Sequence, residues 1–143
     1  MYIMKFKILL LLIFSLNLSA QNYKLEAVSI AWKNKANNSK KYSPWKRLDS
    51  SYFINIKNKI VETYNKPEEI NTVKILKQYA TTTNKNGDKL LRFNCRENGG
   101  EFKMWFIKYL KPKNEIIGEI IMNFEVGTEL IKYSVKNSNS HNR

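Results

Sequence analysis

The segment TTTNKNGDKLLRFNC, residues 81–95, alternates oxygen-bearing side chains in the manner of a calcium loop. The alternating oxygens belong to Thr82, Asn84 and Asn86. Asp88 is the only carboxylate, however, and Lys85 places a cation inside the loop. Phe93 stands at the twelfth position, where the helix–loop–helix form has a bidentate glutamate. Because Asn86-Gly87 separates two extended runs and both residues tolerate positive φ, we predict a hairpin turn and no metal site.

Residue combinations typical of enzymes are few in this chain. The single histidine, His141, is followed by only two residues, so a nucleophile on a rigid scaffold has no base and a zinc site lacks ligands. No glycine-rich phosphate loop is present. A hydrolase that uses a pair of carboxylates is still compatible with the sequence, because glutamates from different strands could meet in the fold. The candidates are Glu62, Glu97, Glu101, Glu119 and Glu125. We predict no catalytic residue and no cofactor, and keep a carboxylate-based hydrolase as a third hypothesis.

The first 20 residues have the pattern of a secretory signal peptide. Lys5 and Lys7 form a positive region, an apolar stretch covers residues 8–18, and Leu18-Ser19-Ala20 ends in the small residues that a signal peptidase prefers. The apolar stretch is about half the length of a membrane-spanning helix. We therefore expect an exported bacterial protein, periplasmic or extracellular, with no integral membrane segment after the signal is removed. One β-domain would then occupy residues 21–136.

The positive charge of the chain restricts the classes of partner only weakly. The formal charge is +13, or about +11 without the two lysines of the leader, which favours anionic surfaces. Most of these cations are dispersed lysines, and the arginine fork that reads phosphates and bases is scarce, which weighs against nucleic acid.

Cys95 is the only cysteine, so no internal disulfide can form. It alternates with Leu91 and Phe93, which predicts a buried apolar position.

Period-2 alternation dominates the remainder of the chain and predicts an all-β domain. The extended runs cover residues 23–32, 52–64, 89–97, 101–110, 119–126 and 129–136. The run at 52–64 contains a hairpin with a two-residue turn at Asn58-Lys59, and a second turn lies at 98–100. These runs predict one antiparallel barrel or sandwich of seven to eight strands. The polar tail, residues 137–143, is expected to be disordered.

The segment NKPEEINTVKILKQYA, residues 65–80, supports two interpretations. Pro67 and the glutamates that follow would open a helix, with apolar residues at helical spacing, so one short helix near 67–78 is possible. Val73, Ile75 and Tyr79 instead share one parity of a strand. We favour the strand, because its neighbours are strands and β-branched residues continue the extended pattern.

Several of these features together resemble a group of small, signal-peptide-bearing exported bacterial β-proteins of unknown function. They are the loop SPWK, the hairpin INIKNKIVETY, the turn NKNGD, the strand end FNC and a glycine turn before an apolar strand. The resemblance covers roughly residues 42–110. The turn RENGG departs from the acidic-glycine turn common in that group. The resemblance implies a compact exported β-domain and supplies neither a ligand nor a reaction.

The run EFKMWFIKYL, residues 101–110, is apolar on both faces. If Phe102, Met104 and Phe106 face the core, the opposite face carries Trp105, Ile107 and Tyr109 together with Lys103. The tentative binding residues are Trp45, Lys103, Trp105 and Tyr109. Core packing remains the alternative for each of the three tryptophans.

Two functional hypotheses stand ahead of the hydrolase. The first is a non-catalytic binding or inhibitory domain that uses aromatic side chains beside lysines as its contact surface. Its partner would be a protein, a glycan or an anionic component of the cell envelope. The second is a barrel that carries a small apolar ligand in its interior, although a chain of this length can also fill its interior with side chains. An outward-facing Trp105 favours the first hypothesis, and a Trp105 that lines a cavity favours the second.

The leader predicts where the mature chain begins. Mass spectrometry of the protein from its native host should give an N-terminus at Gln21, either as glutamine or cyclised to pyroglutamate. A mature, membrane-embedded chain that still begins with Met1 would contradict the export hypothesis.

Overall fold

The structure, a computed structural model, describes residues 22–36, 41–57, 59–66 and 69–138. Its strands are β1 (Tyr23–Asn34), β2 (Lys46–Lys57), β3 (Ile60–Lys66), β4 (Glu69–Gln78), β5 (Thr82–Thr83), β6 (Lys89–Glu97), β7 (Gly100–Lys113), β8 (Ile116–Phe124) and β9 (Glu129–Asn137). These ranges contain no helix, which confirms the all-β prediction. Within them, therefore, no helix has the length and apolarity needed to cross a membrane. The predicted leader lies outside the described ranges.

Antiparallel pairing closes the strands into a barrel. Consecutive strands pair with one another, except that β4 pairs with β6 and the two-residue β5 forms a short hairpin on β6. The barrel closes where β9 pairs with β1, from Leu25 opposite Asn137 to Asn34 opposite Glu129. Eight strands, β1–β4 and β6–β9, thus form an up-and-down barrel. Of the two predicted architectures the barrel is the correct one.

The last strand extends slightly beyond the predicted domain. β9 includes Asn137, and the amide of Ser138 donates a hydrogen bond of 3.0 Å to the carbonyl oxygen of Lys24. The first two residues of the predicted tail therefore pair with β1. Residues 139–143 lie outside the described ranges.

The ambiguous segment is a strand from Glu69 to Gln78, and the alternative of a short helix near 67–78 is wrong over these residues. Val73 and Ile75 both point into the barrel and are buried, whereas Ile70 and Leu76 of the helical pattern are 55% and 40% exposed. The helical spacing is misleading because Ile70 and Leu76 have the opposite strand parity to the buried Val73 and Ile75. Leu76 occupies a bulge between Ile75 and Lys77, where the register with β6 shifts by one residue. The prediction that Tyr79 shares the parity of Val73 and Ile75 is therefore wrong, and Tyr79 lies beside Arg92 instead. Residues 67 and 68 lie outside the described ranges.

The predicted hairpin turns are confirmed at three positions. Lys57 pairs with Ile60, and Lys59 before Ile60 has φ of 61°. Glu97 pairs with Gly100 across a turn in which Asn98 and Gly99 also have positive φ. The third turn joins β5 to β6.

In this third turn the side chain of Asn84 organises the backbone. Its Oδ1 atom accepts hydrogen bonds from the amides of Asn86 and Asp88, at 2.9 Å and 3.0 Å. One carboxylate oxygen of Asp88 accepts from the amide of Leu110, at 3.0 Å. The Asn84 side-chain oxygen, one of the three that suggested a calcium loop, therefore bonds to the turn, and the single carboxylate of the segment bonds to the neighbouring strand.

Side chains fill the middle of the barrel. The inward-facing residues are buried and come from all eight strands; the core consists of Leu25, Ala27, Ile54, Ile56, Val61, Val73, Ile75, Leu91, Phe93, Cys95, Phe102, Met104, Phe106, Ile120, Met122 and Val135. The prediction that Cys95 is buried is confirmed, and burial raises the pKa of its thiol to about 12. Each large apolar side chain buried here contributes roughly 1.5–3 kcal/mol to stability.

Side chains that face the barrel axis near the β1–β2 connection are less buried. Tyr52 stacks on Tyr133 with ring centroids 5.2 Å apart. Beyond this pair lie half-buried Ile30, Leu48 and Ile131, together with Trp32, which is 38% exposed. We call the group Ile30, Trp32, Leu48, Ile131, Tyr52 and Tyr133 the open end of the barrel.

Candidate functional site

Strand β7 presents two different faces, as the alternation of its sequence predicts. Phe102, Met104 and Phe106 point into the barrel and are buried. Trp105 and Ile107 point outward and are half-buried. Trp105 therefore lies on the outer face of the barrel and does not belong to its core.

One row of cross-strand neighbours continues from Trp105 around the outside of the barrel. Trp105 lies opposite Arg92 on β6 and Ile121 on β8, and Ile121 lies opposite Lys132 on β9. Residues opposite each other in paired strands point to the same face, so these four side chains form a continuous strip. Two loop segments extend the strip at its ends. We call the whole group the outer band: Tyr79, Arg92, Trp105, Ile121, Lys132, Tyr42 and Trp45.

At one end of the outer band, Lys132 lies under two aromatic rings. Its Nζ atom is 4.2 Å from the ring centroid of Tyr42 and 4.7 Å from that of Trp45. Both distances are within the range of cation–π attraction. Trp45 nevertheless keeps 44% of its surface exposed. This end thus presents a tryptophan whose position is supported by a lysine and which can still contact a partner.

Hydrogen bonds attach the segment that carries these rings to β1. The amide of Ser43 donates to the carbonyl oxygen of Trp32 at 2.7 Å, and the amide of Trp32 donates to Oγ of Ser43 at 3.0 Å. Ala31, which lies opposite Lys132 and shares its face, is fully buried. The segment therefore lies against the barrel wall at this point.

Tyr109 lies beside the outer band and connects to it through Glu119. Burial, followed by the interaction with the Glu119 carboxylate and the charge of Asp88, raises the pKa of Tyr109 above its ordinary value. Burial, followed by the charge of Glu119, also raises the pKa of Tyr42. The Glu119 carboxylate thus disfavours ionisation of both tyrosines, in addition to the larger effect of burial.

At the other end of the outer band, Tyr79 packs beside Arg92. The amide of Tyr79 donates to the carbonyl oxygen of Arg92 at 3.0 Å, and Nδ2 of Asn94 donates to the Tyr79 hydroxyl at 3.0 Å. Cζ of Arg92 lies 5.4 Å from the Tyr79 ring centroid, and Nζ of Lys77 lies 4.6 Å from it. Two cations therefore share one aromatic ring.

The structure places the four tentative binding residues on one surface without bringing all of them into contact. Lys103 and Trp105 are neighbours on β7, and Lys103 lies one row away from the band, opposite Asn94 and Asn123. Trp45 contacts Lys132 on β9, and two strand spacings, about 10 Å, separate β9 from β7. Tyr109 reaches the band through Glu119.

Sequence reasoning missed Tyr79, Arg92 and Lys132 as parts of this surface. Each is an ordinary strand residue in the sequence, and their proximity depends on the register between β4 and β6 and between β8 and β9. The bulge at Leu76 changes which residues of β4 meet β6. No local pattern in the sequence encodes that bulge. The sequence pointed to this surface only through β7, whose apolar residues occupy both faces of the strand.

The glutamates proposed for a hydrolase are spread over different parts of the barrel. Glu62 lies on β3 and Glu119 on β8. Glu101 and Glu125 are closer, with the amide of Glu125 donating to the carbonyl oxygen of Glu101 at 3.1 Å, but the Glu101 carboxylate pairs with Arg96 at 2.6 Å. Among the described residues, no group of three or more His, Cys, Asp or Glu side chains could hold a metal ion. The side chains of the outer band are suited to aromatic packing and to electrostatic attraction.

Comparison with known proteins gives no match: no family model, no curated protein and no solved structure matches the chain. The functional argument therefore rests on the barrel and its outer band.

The raised pKa of Tyr109 predicts a loss of stability in alkaline solution. The unfolded tyrosine titrates near pH 10 and the folded one above it, so the folded state holds its proton more tightly. The stability linked to this proton is complete below pH 10 and is lost as the pH rises above 10. We expect the free energy of unfolding to fall less steeply above pH 10 in Tyr109→Phe than in the wild type.

Urea unfolding between pH 8 and pH 11.5 measures this difference. Both curves should retain a slope, since burial also raises the pKa of Tyr52 and Tyr133. Parallel curves across the whole range would show that Tyr109 makes no such contribution.

Proposed function

We propose that this protein is an exported, non-catalytic binding or inhibitory β-domain whose outer band contacts a partner outside the cytoplasm. The observation that carries the proposal is the outward orientation of Trp105 within a strip of half-buried aromatic and cationic side chains. Aromatic residues and arginine are enriched at protein interfaces, and lysine stems can cover apolar surface. The partner class is a protein, a glycan or an anionic component of the envelope.

Export is supported by the sequence of the leader. The positive region, the short apolar stretch and Leu18-Ser19-Ala20 match a cleaved signal, and a bacterial periplasmic or extracellular location follows from it. A positively charged domain in that location would meet anionic surface polymers, which attract it before any specific contact is made.

The filled interior favours the outer surface over an internal ligand site. An eight-strand barrel is just wide enough for its own side chains to fill it. Phe106, Met104 and Ile120 reach full burial across the middle of this barrel. A ligand placed there would have to displace core side chains, at a cost of several kcal/mol.

A carrier of a small apolar ligand is the second candidate, and one observation favours it. The open end presents Ile30, Leu48, Ile131 and Trp32 toward the barrel axis without burying them fully. The stacked pair of Tyr52 and Tyr133 would form the floor of such a site. An apolar ligand would therefore sit at the end of the barrel, above the packed core.

Substitution of Trp105 tests the proposal against both the carrier hypothesis and simple charge attraction. In a binding assay on solubilised native envelope material at 0.5 M salt, Trp105→Ala should lose about 2 kcal/mol of binding free energy, roughly 30-fold in affinity. The reason is that buried aromatic contacts persist where salt screens surface charges. Lys132→Gln should matter chiefly at low salt.

Trp32→Ala is the matched control, because it removes the same side chain from the open end. Its binding should equal that of the wild type, and the melting temperature of each variant shows whether the barrel still folds. If Trp32→Ala weakens binding and Trp105→Ala does not, the carrier hypothesis is the better one. Binding that vanishes with salt and ignores both substitutions would leave charge as the whole interaction.

A further inference from the structure

Arg92 is a cation that has no anionic partner among the described residues. Its Nε atom is buried and has no hydrogen-bond acceptor. None of the ion pairs among the described residues includes it. Arg96, four residues later on the same strand, instead pairs with Glu101 at 2.6 Å. Leaving a partly buried arginine unpaired costs free energy, so the outer band retains a charge that its own side chains do not neutralise.

Two lysines add to this positive charge. Lys77 contacts the same Tyr79 ring as Arg92. Lys103 lies opposite Asn94 and is therefore the diagonal neighbour of Arg92, roughly 7–8 Å away along the sheet. Neither lysine forms an ion pair within the described ranges. Three cations around one tyrosine and one tryptophan repel one another, and an anion bound among them would offset that repulsion.

The Arg92 guanidinium packs against the ring of Tyr79, with Cζ 5.4 Å from the ring centroid. Tyr79 is itself fixed by its hydrogen bonds to Asn94 and to the Arg92 backbone, and Trp105 is the cross-strand neighbour of Arg92 on β7. A guanidinium restrained by an aromatic ring loses less entropy when it binds a planar or tetrahedral oxyanion. The fork geometry also gives stronger hydrogen bonds to an oxyanion than an ammonium gives.

We propose that Arg92, with Lys77 and Lys103, forms an oxyanion site that binds the sulfate, phosphate or carboxylate groups of an anionic polysaccharide. The proposal rests on the proposed function, because it assigns a partner class to one end of the outer band. The polysaccharide chain would run along the band from Arg92 past Trp105 toward Lys132, so that its repeated charges meet successive cations.

Other polyanions fit the site less well. Single-stranded nucleic acid binds by stacking successive bases on exposed aromatic faces. Of the aromatic residues around Arg92, Tyr79 has its ring engaged by Lys77 and Arg92, and Trp105 is half-buried. An acidic peptide gains its backbone hydrogen bonds at the edge of a sheet, whereas each barrel strand already pairs with two neighbours. A polysaccharide needs neither feature.

Binding to dextran sulfate, with neutral dextran as the blank, tests the site at 0.15 M salt. Arg92→Lys keeps the net charge and removes the fork, so we expect affinity to fall about tenfold. Arg96→Gln is the matched control: it removes a whole charge from the same outer face of the same strand, and should change affinity less than about twofold because Arg96 is already paired. Lys77→Gln, at an exposed position, should weaken binding without affecting folding.

The outcomes separate this proposal from the proposed function. A loss in Arg96→Gln that equals or exceeds the loss in Arg92→Lys would overturn the oxyanion site in favour of diffuse attraction, which depends on net charge and not on the guanidinium fork. If Trp105→Ala weakens binding to dextran sulfate and Arg92→Lys and Lys77→Gln do not, the outer band still binds and the oxyanion site is wrong. If none of these variants changes binding to dextran sulfate, the oxyanion site is wrong, whereas the proposed function fails only if Trp105→Ala also leaves binding to envelope material unchanged. Equally tight, Arg92-dependent binding of poly-glutamate or oligothymidine would overturn the polysaccharide assignment.

Discussion

Pairing between β9 and β1 joins the last strand of the barrel to the first, and the division of side chains into two sets depends on it. Once the sheet closes, every alternate residue must face a narrow interior that only side chains of matching volume can fill. The remaining residues must face outward. In β7 this leaves Trp105 and Ile107 on the outside even though both are as apolar as their buried neighbours. Closure of the barrel therefore leaves a row of apolar side chains on its outer face, and neighbouring residues have to cover part of that row.

The outer band shows how the chain accommodates that row. Lysine and arginine side chains lie between or beneath the aromatic rings, with Lys132 against Tyr42 and Trp45 and Arg92 against Tyr79. Such contacts cover part of each ring while placing charge beside it. The strip is consequently half-buried, neither a fully exposed hydrophobic patch nor a part of the core. The net positive charge of the chain says little about the class of partner. The positions of individual cations beside these rings, in contrast, identify one surface of the barrel.

Features that depend on local patterns could be predicted from the sequence. The alternation of Phe102, Met104 and Phe106 with Trp105 assigned both faces of β7, and the Asn-Gly pair located the turn after β5, in which the glycine has positive φ. Features that depend on register could not. The meeting of Tyr79 with Arg92 follows from the bulge at Leu76, which shifts the register between β4 and β6 by one residue. Alternation along one strand predicts which of its residues share a face. Which residues they meet on the neighbouring strand depends on the register, and the register is set when the whole barrel closes.

The three tryptophans occupy positions that report on different parts of this barrel: Trp105 in the middle of the outer band, Trp45 at its end, and Trp32 at the open end. Fluorine NMR of protein labelled with 5-fluorotryptophan, during titration with envelope material that binds the wild type, therefore tests where the partner sits. Contact through the outer band predicts that the Trp105 and Trp45 resonances shift or broaden while the Trp32 resonance stays unchanged. A response confined to Trp32 would contradict this account and place the ligand at the open end of the barrel.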